Sequence, residues 1–385
     1  MRNNHIMISF WEQQSFLQYD YIVIGSGIVG LSTAAFLKEQ KPDCRVLVLE
    51  RGIFPTGAST KNAGFACIGS LTELLADLET MPPEKVVELV VQRWKGLQLL
   101  RNRLGDETID YQALGSYELL QAADMSCLDD LEMVNTLLKP ALGGNAFDLL
   151  PSKNVKDFGF ATKNIQAVIC NTFEGQLNTG KMMASLLQYV QRLGVVVING
   201  VEVVDFEEKN GGIKVYIESA MHSSKMAFSA AKVAVCTNAF TSKLLPEVDL
   251  KPGRGQVLIT RPIENLPFRG IFHFDKGYYY FRNVGNRVLF GGGRNLAFEE
   301  ETSTEFSENS TIVTHLKEKL QSMILPNTLF EVEMNWTGIM AFGKDKSPIL
   351  SYWQRNNKVV IGVRLGGMGV AIGSDMGRQI AEMLL

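Results

Sequence analysis

Three glycines in the segment Gly25-Ser26-Gly27-Ile28-Val29-Gly30 are the residues whose spacing points most directly to chemistry. This G-x-G-x-x-G motif follows the apolar run 21–24 and opens a segment with apolar residues at helical spacing. In a strand–turn–helix unit, the first glycine makes the tight turn and the second lets the backbone approach a pyrophosphate. The third lets the helix pack on the strand, and the helix N-terminus stabilises the phosphate charge. The motif therefore predicts a dinucleotide site formed by Gly25, Ser26, Gly27, Ile28 and Gly30.

A carboxylate stands where such a site needs one. Glu50 ends a second apolar run, 45–49, and lies twenty residues beyond Gly30. At that position a carboxylate accepts hydrogen bonds from ribose hydroxyls and repels a 2′-phosphate, which disfavours NADP. The fingerprint fits the ADP half of either NAD or FAD.

The loop that follows favours FAD over NAD. Its sequence, Gly57-Ala58-Ser59-Thr60-Lys61-Asn62-Ala63-Gly64, is made of small and polar residues. A nicotinamide-binding domain needs no such loop at this point, whereas free backbone N–H groups suit a second phosphate and the edge of a flavin. The predicted cofactor contacts in this loop are Ser59, Thr60, Lys61, Asn62, Ala63 and Gly64.

Two further motifs complete a family pattern. The segments 251–256 (Lys-Pro-Gly-Arg-Gly-Gln) and 366–369 (Gly-Gly-Met-Gly) follow in the order found in D-amino acid oxidase-like flavoproteins, which the chain resembles from Tyr21 to Leu385. That family includes glycine oxidase, sarcosine oxidase and D-amino acid dehydrogenases. The resemblance implies FAD and these additional contacts: Arg51, Val203, Thr237, Asn238, Gly338, Gly366, Gly367, Met368 and Gly369. A helix starting near Gly369 would direct its N-terminus at the flavin edge where negative charge develops.

The chain departs from the family pattern at three places. Met340 stands where glycine oxidase-like relatives carry a carboxylate-binding arginine. The segment 287–291 lacks the lysine that sarcosine oxidases use for oxygen activation, which favours dehydrogenase over oxidase activity and predicts slow reoxidation by oxygen. The last cysteine is Cys236, so no C-terminal thiol can tether the flavin, and we expect FAD to bind non-covalently.

Candidate substrate residues lie in the second half of the chain, and we include Met340 among them. Tyr278 and Tyr280 are predicted to share one face of a strand, where they contact substrate or pack at a domain interface. Arg294 follows three glycines and either binds a substrate carboxylate or lies on the surface. Arg254 is interpreted as a structural residue that links two domains.

The elements that position these residues are of two kinds. Apolar runs alternate with helical segments before residue 64 and again in 180–204, which is typical of a parallel sheet. Beyond Pro252, consecutive short strands predict a mostly antiparallel sheet. The expected fold class is α/β plus α+β, with a Rossmann-type FAD-binding domain and an antiparallel-sheet substrate domain. By resemblance, both are discontinuous: 1–80, 160–245 and 336–385 bind FAD, and 81–159 and 246–335 form the substrate domain.

Bulk properties narrow the function classes. The formal net charge of −3 gives no support for a nucleic-acid partner. The five cysteines and four histidines are scattered without ligand spacing, so we expect neither a metal site nor a disulfide framework. No apolar run reaches the length of a membrane span, about 18 residues, and the start lacks the apolar core of a signal peptide. A cytoplasmic location is expected.

The sequence thus favours a flavoenzyme that oxidises the C–N bond of a small amine or amino acid by hydride transfer to flavin N5, with oxygen or a carrier as electron acceptor. An NAD-dependent dehydrogenase of different architecture is one alternative. A flavoprotein acting on a larger partner such as tRNA is a second, and a non-catalytic binding protein with the same fold is a third.

Overall fold

The computed structural model describes residues 8–151, 156–219, 222–354 and 356–385. Its helices are α1 (Phe10–Phe16), α2 (Ile28–Gln40), α3 (Ala58–Lys61), α4 (Leu71–Leu78), α5 (Pro83–Leu104), α6 (Leu131–Leu142), α7 (Thr179–Arg192), α8 (Thr241–Leu244), α9 (Ser310–Lys319) and α10 (Gly369–Leu384). Its strands are β1 (Gln18–Ile24), β2 (Val46–Glu50), β3 (Phe65–Ala66), β4 (Ser116–Leu120), β5 (Asp148–Leu149), β6 (Ala167–Asn171), β7 (Gly175–Gln176), β8 (Val196–Asn199), β9 (Val201–Lys209), β10 (Gly212–Ser219), β11 (His222–Val235), β12 (Lys251–Thr260), β13 (Ile271–Phe274), β14 (Tyr279–Val284), β15 (Arg287–Gly292), β16 (Val332–Phe342), β17 (Ile349–Trp353) and β18 (Asn356–Val363).

The first sheet has a parallel centre in the order β18-β11-β1-β2-β8. Its apolar strands are buried on both faces, which is why β1 and β2 read as continuous apolar runs. Tyr21 and Val23 of β1 belong to one core with α2, whereas Ile22 and Ile24 belong to the core on the opposite face. The predicted Rossmann-type unit at the N-terminal end is confirmed.

The second sheet has the order β16-β12-β15-β14-β13-β4-β6-β5. All its pairs are antiparallel except β4 with β13. Phe272, Phe281 and Phe290 point from three neighbouring strands into a core that includes α9, where the rings of Phe272 and Phe281 stack 4.9 Å apart. The predicted mostly antiparallel sheet is confirmed, and the fold is the mixed architecture that the sequence indicated.

The second sheet draws on segments from both sides of the expected domain boundaries. It contains β6, which lies after residue 160, and β16, which crosses residue 336. The long helix α5 packs on α10, and Gly96 permits this contact, since a Cβ there would lie 2.2 Å from the carbonyl oxygen of Ala371. The division into two domains stays a prediction.

The two sheets meet where the cofactor loop reaches β16. The indole N–H of Trp336 donates to the carbonyl oxygen of Lys61 at 2.9 Å. This contact brings the end of α3 against the antiparallel sheet, and a cavity lined by residues of both sheets lies beside it.

Candidate active site

The glycine turn between β1 and α2 is closely packed. Gly25 has a φ of +103°, a conformation that side-chain-bearing residues rarely adopt. A Cβ on Gly30 would lie 1.9 Å from the carbonyl oxygen of Gly25, and one on Gly27 would lie 2.9 Å from Ser59 Oγ. The packing therefore requires glycine at Gly25 and Gly30, whereas a Cβ on Gly27 would displace the Ser59 side chain. Gly27 leaves the start of α2 without a side-chain cap of its own.

Glu50 is held by the same turn. One carboxylate oxygen accepts hydrogen bonds from the Ser26 backbone N–H at 3.0 Å and the Ser26 hydroxyl at 2.8 Å. The other accepts from the N–H of Gly52 at 2.8 Å. These bonds fix the carboxylate at the end of β2, beside the glycine turn, which is where a ribose would lie. Ser26 is fully buried and acts here by orienting Glu50.

The loop 57–64 is braced against the turn. Ser59 Oγ accepts from the N–H of Ile28 at 3.0 Å, so this loop supplies a cap to the first turn of α2. The Asn62 side-chain oxygen accepts from the Gly64 N–H at 2.8 Å, and the Thr60 hydroxyl donates to the carbonyl oxygen of Pro55 at 2.7 Å. The loop is a built wall of the cavity rather than a solvated turn.

The C-terminal glycines form the opposite wall. Gly366 and Gly367 have φ values of +57° and +88°, and they turn the chain into α10, which begins at Gly369. The residue before this helix, Met368, provides no side-chain cap. The helix N-terminus therefore presents free N–H groups and its positive dipole end to the cavity.

The cavity has a volume of about 770 Å³, a size typical of ligand sites. The predicted cofactor residues that line it are Gly25, Gly27, Ile28, Glu50, Arg51, Ser59, Lys61, Asn62, Ala63, Val203, Thr237, Asn238, Gly338, Gly366, Gly367, Met368 and Gly369. Ser26, Gly30, Thr60 and Gly64 lie behind its wall. Two helix N-termini, a glycine turn and a fixed carboxylate along one cavity fit a long dinucleotide such as FAD.

The structure brings the predicted substrate residues to the same cavity. Tyr278, Tyr280, Arg294 and Met340 all line it. The prediction that Tyr278 and Tyr280 share a strand face is wrong, because β14 begins at Tyr279 and Tyr278 lies in the preceding turn with 38% of its surface exposed. Burial raises the pKa of Tyr280 to about 12, so its phenol stays protonated at neutral pH.

Arg294 lies between two aromatic rings at the cavity wall. Its guanidinium carbon is 4.1 Å from the ring centre of Phe342 and 5.2 Å from that of Phe298. Burial lowers the pKa of Arg294, yet an arginine stays charged at neutral pH. Within the described part of the chain, no carboxylate forms an ion pair with Arg294, and its Nε has no hydrogen-bond partner.

Arg254 has a different role from the one expected. Its guanidinium makes a two-pronged ion pair with the fully buried Glu301, at 2.8 and 3.0 Å. Its other bonds also go to the segment 300–307, so Arg254 ties β12 to a loop of the same expected domain. The interpretation of Arg254 as a link between two domains is wrong.

Sequence reasoning missed a polar group of residues at one end of the cavity, namely Cys67, Ser70, Glu73, Glu174 and His273. Glu174 is 1% exposed and accepts from the N–H groups of Ile68 and Gly69 at 2.7 and 2.9 Å. Burial raises the pKa of Glu174 to about 7, against the opposing effects of His273 and these two N–H groups. A signal was present, because His273 interrupts the apolar run 271–274.

Fold and site together define a flavoprotein class with a Rossmann-type cofactor sheet and an antiparallel substrate sheet. A family model described as FAD dependent oxidoreductase (DAO) matches residues 20–383, and the chain belongs to this family. This confirms the resemblance seen in the sequence and FAD as the cofactor. The protein is an FAD-dependent oxidoreductase, and the alternative of an NAD-dependent dehydrogenase is not supported.

Known proteins of this kind are similar over almost their whole length. A D-amino acid dehydrogenase of Helicobacter pylori is 23% identical, with 95% of each chain covered. The structure of glycine oxidase from Geobacillus kaustophilus aligns with a TM-score of 0.76 at 18% identity, covering 96% of this chain and 95% of that one. L-proline dehydrogenase from P. horikoshii aligns with a TM-score of 0.76 at 16% identity, covering 95% and 93%.

Among the described residues, none of the helices combines the length and apolar character needed to cross a bilayer. The roles of the individual cofactor and substrate residues stay predictions.

Proposed function

We propose that the protein oxidises the C–N bond of a small amino acid or related amine, and that the substrate lies between Tyr278, Tyr280, Arg294 and Met340. FAD, when bound, supplies the hydride acceptor at N5. The names of the similar proteins, a D-amino acid dehydrogenase and a glycine oxidase, support this substrate class. Non-covalent FAD, held at Glu50 and along the loop 57–64, is part of the proposal.

The observation that carries the proposal is the unpaired guanidinium of Arg294. A partly buried cation without a carboxylate partner is costly, because burial penalises the charge and the two neighbouring rings offset only part of that cost. A substrate carboxylate would provide the missing partner through charge-assisted hydrogen bonds. Arg294 would then take over the role that Met340 cannot perform at the position of the relatives' arginine.

The other side chains around the proposed substrate position would orient the substrate and exclude water. Met340 offers an adaptable apolar surface, and Phe298 lies with its ring 6.0 Å from that of Tyr278. Tyr280 stands opposite Gly291 in the sheet, and a Cβ on Gly291 would come within 2.6 Å of its ring. Glycine there gives the phenol room to lie flat along the cavity wall.

We further propose that the electron acceptor is a carrier rather than oxygen. The strand β15 (Arg287–Gly292) has no lysine to favour oxygen activation. The five cysteines, all unpaired, support a reducing location such as the cytoplasm.

The test is anaerobic bleaching of the flavin absorbance by a panel of D-amino acids, L-amino acids, N-methyl amino acids and simple amines. Amino acids are expected to reduce the flavin faster than the amines that lack a carboxylate. Failure of every amine and amino acid to bleach the flavin contradicts the proposed substrate class. Substrate-reduced enzyme mixed with aerated buffer then tests the acceptor, and rapid peroxide formation would refute the carrier.

Precipitation with acid tests the mode of flavin attachment. Flavin in the supernatant is expected, and flavin that stays with the precipitated protein excludes non-covalent binding.

A further inference from the structure

We propose that Glu174 accepts the proton of the substrate's ammonium group, with Ser116 and His273 completing a buried polar chain behind it. This inference rests on the proposed function, since it concerns an amine substrate in the same cavity. It assigns a task to the polar end of the cavity, which the sequence motifs do not cover.

The position of Glu174 is suited to meeting a cation. Its side chain lines the cavity but is 1% exposed, and one carboxylate oxygen accepts both backbone N–H groups, those of Ile68 and Gly69. Within the described ranges, no lysine, arginine or histidine forms an ion pair with it. The second oxygen is thus fixed in direction by the first, and no ion pair from the described residues neutralises the carboxylate.

The second sheet places His273 beside the predicted substrate residue Tyr280. His273 stands directly opposite Tyr280 on one neighbouring strand and Glu118 on the other, so these three side chains share one face. His273 is 8% exposed, and its Nε2 lies 2.8 Å from Ser116 Oγ. The Ser116 hydroxyl in turn contributes to lowering the pKa of Glu174.

His273 also retains unused hydrogen-bonding capacity. Its Nδ1 has no partner among the described residues, although the ring forms part of the cavity wall. A buried imidazole normally satisfies both nitrogens, so this open position indicates a group that is absent from the protein itself.

Arg294 and Glu174 together are complementary to the two charges of an amino acid. Arg294 offers a cation for the carboxylate and Glu174 offers an anion for the ammonium group, while Tyr280 lies along the wall beside His273. Each group lacks an internal ion-pair partner, and a zwitterion supplies both.

The proposed step is a simple proton transfer. The ammonium N–H bond breaks, its electron pair stays on nitrogen, and the proton forms a new O–H bond on Glu174. The substrate becomes a neutral amine and Glu174 a neutral carboxylic acid. The freed nitrogen lone pair then supports departure of the hydride from the neighbouring carbon.

The titration behaviour of Glu174 agrees with this task. Burial raises its pKa to about 7, which is the range in which a carboxylate serves as a general base at neutral pH. The charged and titratable groups around it are Cys67, Glu73, Arg93, Tyr111, Glu118, Cys170 and His273.

The experiment measures anaerobic flavin reduction by stopped flow from about pH 5 to about pH 10, using the fastest substrate of the panel. In the native holoenzyme the rate of flavin reduction should rise with pH, and the midpoint of this rise should lie near pH 7. Glu174→Gln keeps the shape and one acceptor oxygen. Its rate at neutral pH should fall by about 10²-fold or more and recover where the substrate amine itself loses its proton.

Asp375→Asn is the matched control. Asp375 is also buried and forms an ion pair with Arg378, yet it does not line the cavity and does not act on the pKa of Glu174, so its replacement should leave the pH profile unchanged. A Glu174→Gln variant that reduces the flavin at the native rate and with the native pH dependence overturns the proposal. Because the native enzyme has by then been reduced by the substrate, that result leaves the proposed function intact.

A second measurement needs no variant. Native enzyme is given two substrates that differ in the pKa of their amino group. If the rate of flavin reduction rises near pH 7 with both substrates, Glu174 is supported as the proton acceptor. If the midpoint of the rise moves with the pKa of the substrate's amino group, the proposal is refuted.

Discussion

The two ends of the cavity are built on different principles. The nucleotide end consists mainly of backbone, with a glycine turn, two helix N-termini and one carboxylate whose oxygens are held by N–H groups. The other end consists of side chains from separate segments, namely Cys67, Glu174, His273, Arg294 and Met340. The first is common to a family, and the second is where the chain departs from it at Met340.

Cofactor binding and substrate binding place different demands on the two ends of the cavity. A pyrophosphate and a ribose are the same in every member, so a fixed arrangement of backbone donors suits them. Substrates differ in charge and shape, and single side chains on a rigid sheet can change without disturbing the fold. Mutations at the two ends should therefore have separable effects, with substrate-end changes altering turnover and nucleotide-end changes altering flavin retention.

The largest expected effect is at Arg294. Arg294→Ala should lower kcat/KM for amino acids, because the substrate carboxylate would be left without a partner. The expected loss corresponds to about 2–5 kcal/mol of transition-state stabilisation. Amines without a carboxylate should change little. Steady-state kinetics with matched amine and amino-acid pairs provides the measurement, and Arg261→Ala, at an exposed ion pair, is the control. Equal losses for both classes would contradict a carboxylate-binding role.

Glu174→Gln should alter stability as well as turnover. The pKa of Glu174 is raised in the folded protein, so the carboxylate destabilises the fold as pH rises from the unfolded value of 4.5 through about 7. A glutamine avoids this cost, and the variant should gain up to about 3 kcal/mol over the native protein above pH 7, with little difference near pH 4. Urea unfolding of the holoenzyme at several pH values tests it. A stability difference that does not depend on pH would argue against the raised pKa.

Gly30→Ala tests the packing of the nucleotide end. The added Cβ would clash with the Gly25 carbonyl, and overpacking of this kind costs about 1–3 kcal/mol. Flavin retained after gel filtration and the unfolding temperature should both fall. Gly144→Ala is the matched control, since Gly144 lies away from the cavity and a Cβ there meets only the Phe173 ring, at 3.6 Å. Similar losses in both variants would mean that the clash at Gly30 is relieved by relaxation.

The smallest effect is expected at Glu50. Glu50→Gln keeps a hydrogen-bond acceptor but loses the charge. The free energy of FAD binding should weaken by about 1 kcal/mol, which raises the dissociation constant of FAD. Turnover at saturating FAD should stay close to the native value, which separates this end from the substrate end. Titration of apoprotein followed by flavin fluorescence gives the constant, and the exposed Glu264→Gln serves as control. A Glu50→Gln variant that loses turnover but binds FAD normally would contradict the separation between the two ends of the cavity.

Some of this architecture follows from the sequence because its parts are local. The unit from β1 to β2 is a single run of chain, in which apolar periodicity and glycine positions together define the turn, the helix and the carboxylate. The antiparallel sheet was likewise indicated by short strands without intervening helices. The order of the family motifs then identified FAD and the cavity wall around Gly366.

The substrate end was decided by the tertiary structure. Tyr278 falls in a turn instead of on β14, and Arg254 pairs with Glu301, which lies 47 residues away in the sequence. Glu174 and His273 line the same cavity because β4 pairs with both β6, which Glu174 follows, and β13, which carries His273. Strand pairing between distant segments depends on the register of the whole sheet, and no local pattern in the sequence records it. By itself, then, the sequence determined the cofactor and the kind of fold, and long-range pairing decided which charged side chains line the proposed substrate end of the cavity.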